Sequence, residues 1–405
     1  MQTELAEFIR DTPEGREADA ILRKCVHCGF CTATCPTYQL LGDELDGPRG
    51  RIYLIKQMLE GAPPTAKTRL HLDRCLTCRS CESTCPSGVQ YGRLADIGRG
   101  IVEEKVGRGA WDRLQRAALA AVIPNRGVFS LLLALGRMFR PFFPAALQDK
   151  IPARIDPGPW PPARHSRKML VLAGCAQPAL APRINAAAAR VLDRAGVSLS
   201  EAPGAGCCGA VRFHLNDQQA GRDDMRALID AWWPAIERGG VEAIVMTASG
   251  CGSFVREYAH HLHEDPAYRE KAKRIADMTR DLSEVVLEKD VEKQANPVRV
   301  AFQSPCSLQH GQQIRGNVEA LLHAAGHALT PVADSHLCCG SAGTYSILQP
   351  ELSQQLRARK LAALGVDSPA GGPDCIATAN IGCLAHLQGG TPVRHWIELL
   401  DEPAA

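Results

Sequence analysis

The sequence predicts a multidomain α+β protein, in which a helical, cysteine-dense N-terminal domain precedes two repeated α/β modules. Two four-cysteine motifs lie 50 residues apart within the first hundred residues. A proline-rich segment at 151–162 separates them from a region where short apolar runs alternate with helical patterns. In that region four cysteines recur at an offset of 131 or 132 residues. This repeat indicates the duplication of one module.

These features divide the 405 residues into four segments. We expect the cysteine-dense domain over residues 1–100 and a helical connector with the proline-rich linker over 101–165. The two modules follow over 166–290 and 291–405. With 45% hydrophobic and 22% charged residues, the composition is typical of a globular protein that buries ordinary cores.

Seventeen cysteines are many for an ordinary enzyme, and their clustering indicates metal or redox chemistry. Met1–Arg10 is polar and charged, without the apolar stretch of a signal peptide, so we expect a cytoplasmic, reducing location. No segment approaches the about 20 apolar residues that a membrane-spanning helix needs. The net charge of +2, without a stripe of basic and aromatic residues, argues against nucleic-acid binding.

Both N-terminal motifs have the form Cys-x2-Cys-x2-Cys-x3-Cys-Pro, the spacing of bacterial ferredoxins with two [4Fe-4S] clusters. There, three thiolates on a tight turn converge on one cluster, and the fourth cysteine starts a helix and binds the other cluster. The predicted ligands are Cys25, Cys28, Cys31 and Cys85 for the first cluster, and Cys75, Cys78, Cys81 and Cys35 for the second. Structural zinc is the alternative, but its ligands usually come as two separated pairs, which this double spacing fits poorly.

Each module carries a Cys-Cys-Gly sequence and two further cysteines. The repeated sets are Cys175, Cys207, Cys208 and Cys251 in the first module, and Cys306, Cys338, Cys339 and Cys383 in the second. This pattern resembles the cysteine-rich CCG domain family, which includes heterodisulfide reductase subunits and iron-sulfur subunits of several dehydrogenases. Some members hold a non-cubane cluster there, so the resemblance implies a candidate further cluster or redox site at these cysteines.

Both modules depart from the closing Cys-x2-Cys of the CCG family. Ala248 and Asn380 stand where the first cysteine of that pair is expected. Four thiolates can still hold a cluster, and His214, His310 or His336 are candidate further ligands. The alternatives are a metal-free scaffold, a docking surface for a quinone or a partner protein, or small buried thiols.

Four of the module cysteines follow predicted strands, which we expect at Lys168–Ala173, Glu242–Thr247, Pro297–Phe302 and Cys375–Ala379. In open α/β sheets, sites collect at the carboxyl ends of the strands. The cysteines of one module should therefore meet at one edge. We also expect the duplicated modules to pack as a pseudo-symmetric pair, with their cysteine edges facing a shared cleft.

A match to the dinucleotide motif G-x-G-x-x-G occurs at Gly204–Gly209. The preceding Glu201-Ala-Pro203 should interrupt the strand that such a site requires, and the second module lacks the pattern. We therefore expect neither NAD nor flavin on this chain.

Four further stretches carry a resemblance to the iron-sulfur subunits of bacterial glycolate oxidase, which covers almost the whole chain. These stretches are Asp46–Lys56, His71–Cys78, Cys81–Gly92 and Thr378–Cys383. The resemblance implies flavin-bearing partner subunits that oxidise glycolate to glyoxylate, with this chain passing electrons toward the membrane quinone pool. No catalytic residue for substrate oxidation is expected here, because such a reaction needs a flavin or nicotinamide.

Other functions remain open at this point. The chain could serve a related lactate or glycerol-3-phosphate dehydrogenase, and glycolate and D-lactate are not distinguished because the substrate site would lie on another chain. It could act by itself as a heterodisulfide-reductase-like CCG protein, which the missing Cys-x2-Cys disfavours. It could also be a cysteine-rich metal-binding interaction protein, which the ferredoxin spacing disfavours.

The segment Val128–Phe143 combines apolar bulk with Arg137 and Arg140, as an interfacial helix would. It predicts peripheral attachment at the inner face of the cytoplasmic membrane, directly or through partners. The alternative is an ordinary amphipathic helix packed on the body of the protein.

Overall fold

The computed structural model describes residues 1–144, 148, 151–369 and 371–401. It contains an N-terminal helical domain, a helical hairpin and two α/β modules, each with a four-stranded parallel sheet. The predicted fold class is therefore confirmed. Parts of the predicted connector and second module, at 145–147, 149–150, 370 and 402–405, lie outside the described residues.

The N-terminal domain consists of short helices around an aliphatic core. Its helices are Glu7–Arg10, Pro13–Lys24, Phe30–Ala33, Pro36–Leu41, Pro48–Leu59, Ala66–Asp73, Ser80–Thr84 and Tyr91–Lys105, with a 3-10 turn at Glu44–Asp46. Pro13, Pro36 and Pro48 each begin a helix, where the missing N–H of proline would have no partner anyway. Ile21 and Ile55 are almost fully buried between the helices.

A hairpin of two helices, Ala110–Val122 and Arg126–Phe139, follows this domain and ends in a 3-10 turn at Arg140–Phe142. Asn125 caps the second helix, since its side chain accepts a hydrogen bond from the N–H of Val128. Within the described ranges no single helix is long and apolar enough to cross a membrane. The hairpin passes such a test only as a pair, which is bent by 103°.

The two modules have the same sheet topology. The strands are β1 (Arg167–Val171), β2 (Val197–Glu201), β3 (Val241–Met246), β4 (Thr279–Asp281), β5 (Arg299–Gln303), β6 (Ala328–Leu329), β7 (Cys375–Thr378) and β8 (Val393–His395). Their orders are β2-β1-β3-β4 and β6-β5-β7-β8, and all the pairings are parallel. The repeated order agrees with duplication of one module. The four predicted strands are confirmed as β1, β3, β5 and β7.

The helices of the modules alternate with these strands. Those of the first module are Gln177–Leu180, Arg183–Arg194, Ala210–His214, Gln218–Glu237, Ser249–Val255, Tyr258–His261, Arg269–Met278 and Leu282–Val285, with a 3-10 turn at Glu288–Asp290. Those of the second are Asn317–Ala324, Tyr345–Leu348, Pro350–Ala363, Ile381–Leu387 and Trp396–Leu400, with a π-helical turn at Ser307–Gly311.

The two sheets share one hydrophobic core. Side chains alternate across β1, so that Met169 and Val171 face this shared core whereas Leu170 faces the separate core of the first module. Val300 and Phe302 of β5 reach the same shared core from the other side. The modules therefore pack against each other as a pair, as the sequence predicts.

Candidate iron-sulfur sites

The two ferredoxin loops have the same backbone shape. His27 and Gly29 of the first loop are left-handed, with φ of 56° and 86°. Their equivalents Thr77 and Arg79 have φ of 53° and 59°. Such residues turn the amide groups between successive cysteines toward the thiols, and the N–H of Thr77 donates to Sγ of Cys75 over 3.4 Å.

The eight ferredoxin cysteines line two cavities, and each cavity takes its fourth cysteine from the other motif. The first is lined by Cys25, Cys28, Cys31 and Cys85. The second is lined by Cys35, Cys75, Cys78 and Cys81, the last of which also borders the first cavity. This crossed arrangement agrees with the predicted ligand sets. Ligation itself stays a prediction.

The two fourth cysteines differ in local structure. Cys35 directly precedes the helix Pro36–Leu41, as predicted. Cys85 instead follows the helix Ser80–Thr84 and enters a turn at Gly88, whose φ is 63°. The expectation that the fourth cysteine starts a helix is therefore wrong for Cys85.

The Cys31 thiol of the first cavity needs a cation to become a thiolate. Burial and the neighbouring Cys25 and Cys28 raise the pKa of Cys31 to about 11. Four converging sulfur donors and no competing carboxylate in the lining match the soft donor set that iron-sulfur clusters take. The residues of this cavity fit a cluster.

The second cavity has buried positive charge beside it. Arg51 is 1% exposed and Arg99 is 7% exposed, and Arg99 donates to the carbonyl of Cys75 over 2.6 Å. Burial alone would raise the pKa of Cys75, but these two guanidinium groups hold it below its ordinary value. The fully buried Asp46 balances this charge, with contacts of 3.5 Å to Arg51 and 2.8 Å to Arg74. This positive charge favours the thiolate at Cys75, whereas burial raises the pKa of Cys78 and Cys81, so these two thiols need the metal itself to become thiolates.

The second module brings its four predicted cysteines together. The Sγ atoms of Cys306 and Cys338 are 3.7 Å apart, and those of Cys339 and Cys383 are 3.4 Å apart. The amide of Asn380 lies 3.7 Å from Sγ of Cys383. Asn380 thus stands in the place of the missing fifth cysteine of the family pattern and supplies a hydrogen-bond donor instead of a thiolate.

The first module has the same arrangement. Cys207 accepts a hydrogen bond from Cys175, which lowers the pKa of Cys207 and raises that of Cys175. Cys208 forms a hydrogen bond with Cys251, which raises the pKa of Cys208. Here Ala248 occupies the place of the missing cysteine and provides no polar group.

The backbone conformation at the third position of each Cys-Cys-Gly sequence requires glycine. Gly209 has φ of 90° and Gly340 has φ of 89°. A Cβ atom would lie 2.6 Å from a backbone oxygen in either case, that of Gly221 or of Ser353. Both amides donate to the first cysteine of the pair over 3.4 Å. The sequence thus allows a tight turn that points amide hydrogens at sulfur.

One large cavity, of about 570 Å³, lies between the two modules, the N-terminal domain and the hairpin. Its lining includes cysteines of all three cysteine-bearing units, namely Cys75, Cys78, Cys175, Cys208, Cys251, Cys306, Cys338, Cys339 and Cys383. The predicted shared cleft is therefore present, and the second ferredoxin site opens into it. We call this space the thiol cavity.

The predicted histidines have different surroundings. His214 lines the thiol cavity. His310 is engaged on both ring nitrogens, with Ser83 Oγ at 2.9 Å and the carbonyl of His336 at 3.0 Å. It therefore joins the N-terminal domain to the second module and has no free nitrogen for a metal.

The expectation that no strand precedes the match at Gly204–Gly209 is wrong. A strand does precede the glycine-rich match, because β2 continues to Glu201. The helix that follows, Ala210–His214, has only five residues. The turn between them carries Cys207 and Cys208.

Comparison with known proteins agrees with this architecture. The 4Fe-4S dicluster domain family matches residues 21–89, and the cysteine-rich domain family matches 169–256 and 300–388. The glycolate oxidase iron-sulfur subunit of Escherichia coli (strain K12) is 56% identical over 99% of this chain and 99% of its own length. The chain belongs to the glycolate oxidase iron-sulfur subunit family. It is thus an iron-sulfur electron-transfer subunit, and membership of this family implies other subunits.

More distant relatives span the same region or part of it. The probable glycolate oxidase iron-sulfur subunit of Bacillus subtilis (strain 168) is 29% identical over 91% of this chain and 89% of its own length. Lactate utilization protein A of Bacillus licheniformis is 28% identical over 51% of this chain and 84% of its own length.

Sequence reasoning missed the polar residues that surround the second site. Asp46 and Arg51 stand in the stretch that carries the glycolate oxidase resemblance, but nothing in their spacing relative to the cysteines assigns them a role. Arg99 lies on the helix Tyr91–Lys105, which follows the second motif, and Glu257 binds Arg79 with two contacts of 2.6 and 2.5 Å across the domain boundary. Only the fold brings these groups to the cluster loops.

Proposed function

We propose that this chain is the electron-carrying subunit of a complex that oxidises glycolate to glyoxylate. That oxidation releases two electrons and two protons. Flavin-bearing partner subunits take the electrons from the substrate, and this chain accepts them and delivers them to a quinone. The observation that carries the proposal is the opening of the second ferredoxin site into the thiol cavity, which gives a continuous series of cysteine sites.

Two [4Fe-4S] clusters fit the N-terminal domain, one at each set of four cysteines described above. When bound, such clusters supply one-electron transfer. The module cysteines are candidates for a further cluster. No flavin or nicotinamide is proposed on this chain, so the hydride-accepting chemistry belongs to partners.

The hairpin supports attachment at the inner face of the cytoplasmic membrane. Leu131 and Met138 are each 60% exposed, and Phe142 is 83% exposed. Arg137 and Arg140, however, donate to the backbone carbonyls of nearby residues, so they fix the hairpin in place and do not reach toward lipid. The attachment we propose rests on the apolar surface alone.

The inner surface of the same hairpin supports a lipid-soluble acceptor. Ile123 and Phe129 line the thiol cavity from the hairpin. A quinone that leaves the bilayer at the hairpin would therefore enter the cavity between apolar side chains. One face of the hairpin would thus contact the membrane, and its opposite face would line the acceptor site.

A second candidate function is oxidation of another 2-hydroxy acid, such as D-lactate, by the partner subunits. The similarity to proteins named for lactate utilization supports it. The two functions differ only in the partners, so the assembled complex must be compared on both substrates.

Iron content tests the cluster assignment. The anaerobically purified chain should contain about eight irons and eight acid-labile sulfides from the N-terminal domain. Cys28→Ser should remove about four irons. Cys375→Ser, at a buried cysteine outside both motifs, is the matched control and should leave the iron content unchanged. Stoichiometric zinc without iron would contradict the assignment.

Activity tests the division of roles. The isolated chain should not oxidise glycolate or D-lactate with an artificial acceptor, whereas co-expression with flavin-bearing partners should give glycolate oxidation and quinone reduction. Turnover by the isolated chain would refute the proposal. Cys208→Ser and Cys339→Ser should each slow quinone reduction by the complex, and full quinone reduction with unchanged iron content in both variants would exclude an electron-transfer role for the modules.

Flotation with vesicles tests the membrane contact. The complex should float with vesicles at low salt, and a Leu131→Glu, Met138→Glu double variant should float less. Equal flotation of the two would exclude the hairpin as the contact.

A further inference from the structure

The two halves of the ferredoxin domain share one backbone shape, but only one half is covered by the modules. Leu76, directly after the first cysteine of the second motif, is 7% exposed and packs with Cys338 and Tyr345 of the second module. Val26 holds the equivalent position in the first motif and is 68% exposed. An aliphatic side chain is therefore buried against the cysteine-bearing second module in one half and exposed in the other.

Neighbouring positions repeat this contrast. Ser80 is 1% exposed, whereas its equivalent Phe30 is 60% exposed. Ser83 reaches His310 of the second module, and its equivalent Ala33 is exposed. At each of these positions the residue of the second half is buried or contacts the second module, whereas the residue of the first half is exposed to solvent.

The exposed side chains surround the outermost cysteine of the first site. Cys28 is exposed, whereas the other seven ferredoxin cysteines are buried or half-buried. Tyr53 is 47% exposed and extends the apolar surface through an edge contact with His27, their ring centroids being 6.5 Å apart. We call the surface formed by Val26, Cys28, Phe30 and Tyr53 the open face.

We propose that the open face is the docking surface for the flavin-bearing partner that supplies electrons to this chain. The proposal rests on the proposed function, because it names the surface at which that partner binds. The second half of the same domain shows how such a surface is covered: its apolar side chain, Leu76, packs directly against Cys338 of the second module.

The chemistry of the face fits a protein partner with an apolar contact area. The centres of protein interfaces are depleted in charge and enriched in aromatic residues, and Phe30 and Tyr53 provide two aromatic side chains beside Cys28. Electron transfer weakens steeply with distance, so a donor must approach the first site where protein covers it least. Entry at the open face and exit at the thiol cavity then give the chain one direction of electron flow.

Binding of the partner tests the proposal. Val26→Glu and Phe30→Glu should each weaken binding of the flavin-bearing subunits by about tenfold or more, since a charge replaces an apolar contact at the centre of the interface. Leu287→Glu is the matched control, because Leu287 is 47% exposed and lies in the first module, away from the open face. It should leave the affinity unchanged. Iron content and reduction by dithionite should stay normal in all three variants.

Cross-linking tests the same face without introducing a charge. A photoreactive benzoylphenylalanine in place of Phe30 should cross-link the chain to a flavin-bearing subunit in the purified complex. A cross-link only to a second copy of this chain would overturn the proposal, as would unchanged partner affinity in both glutamate variants. If the wild-type complex contains no flavin-bearing subunit, the proposed function fails; if it does contain one but binds it elsewhere, only the open-face proposal fails.

Discussion

Asp46 is the residue whose replacement tests most directly how the second cluster site is built. Its carboxylate is fully buried and contacts Arg51 at 3.5 Å, Arg74 at 2.8 Å and His71 Nδ1 at 3.0 Å. Arg51 is itself 1% exposed, so its positive charge has no water to stabilise it. Asp46→Asn keeps the size of the side chain and removes the negative charge.

The expected cost follows from the charge that is left behind. Breaking a buried ion pair by removing one partner costs about 3–5 kcal/mol. Asparagine keeps one oxygen acceptor, so we expect the lower end, about 3 kcal/mol. In a domain of about 100 residues, 1 kcal/mol moves Tm by about 4–8 °C, and the expected decrease is therefore about 12–24 °C.

The assay is thermal loss of the visible cluster absorbance under anaerobic conditions, with all variants scanned at one fixed rate so that their midpoints can be compared. Glu44→Gln is the control, since Glu44 pairs with Arg49 in the same domain but both side chains are well exposed, at 41% and 37%. Such a pair is worth less than about 1 kcal/mol, so Tm should fall by less than about 8 °C. If Asp46→Asn falls within the range of that control, the account of the buried charge is wrong.

Three further predictions concern other parts of the molecule. Burial lowers the pKa of His395 to about 4. Between about pH 6.5 and pH 4 this histidine therefore binds a proton in the unfolded chain but stays neutral in the folded chain. The free energy of unfolding should therefore fall as the pH drops from about 6.5 toward 4. In denaturant titrations, His395→Gln should reduce the dependence of this free energy on pH by up to about 1.4 kcal/mol per pH unit, and an unchanged dependence would contradict the prediction. Arg79→Lys cannot keep both contacts with Glu257, and we expect calorimetry to show a loss of about 1–2 kcal/mol with normal iron content, whereas an unchanged unfolding temperature would count against the pair. Leu76→Ala should cost about 2–5 kcal/mol and speed proteolysis of the proline-rich linker, and equal cleavage rates would show that Leu76 does not hold the domains together.

The sequence predicts the order of modules and the edge of the sheet at which their cysteines meet, because both depend on local patterns. Apolar runs such as that of β3 can be recognised in the sequence, and the cysteines follow these runs closely. None of the four edge strands is predicted. β4, β6 and β8 have only two or three residues, too few to form a period, and the five residues of β2 show no apolar run like those of the central strands. Their positions depend on pairing with a neighbouring strand, which no local pattern encodes.

The difference between the two ferredoxin halves could not be predicted either. Val26 and Leu76 are both aliphatic residues after the first cysteine of identical motifs. Their exposures of 68% and 7% depend on which side of the N-terminal domain the second module packs against. The crossed cysteine sets, in contrast, follow from the motif spacing, since each motif folds into the same loop.

The placement of charge around the two sites has a consequence for ionic strength. Arg51 and Arg99 lie inside the protein, beyond the reach of mobile ions, whereas Arg49 beside the first site is 37% exposed. At about 0.1 M salt, counterions screen exposed charges over about 10 Å and leave buried ones almost unaffected. Added salt should therefore shift the reduction potential of the first site and hardly that of the second. The driving force between the two sites would then be set partly by the surrounding electrolyte.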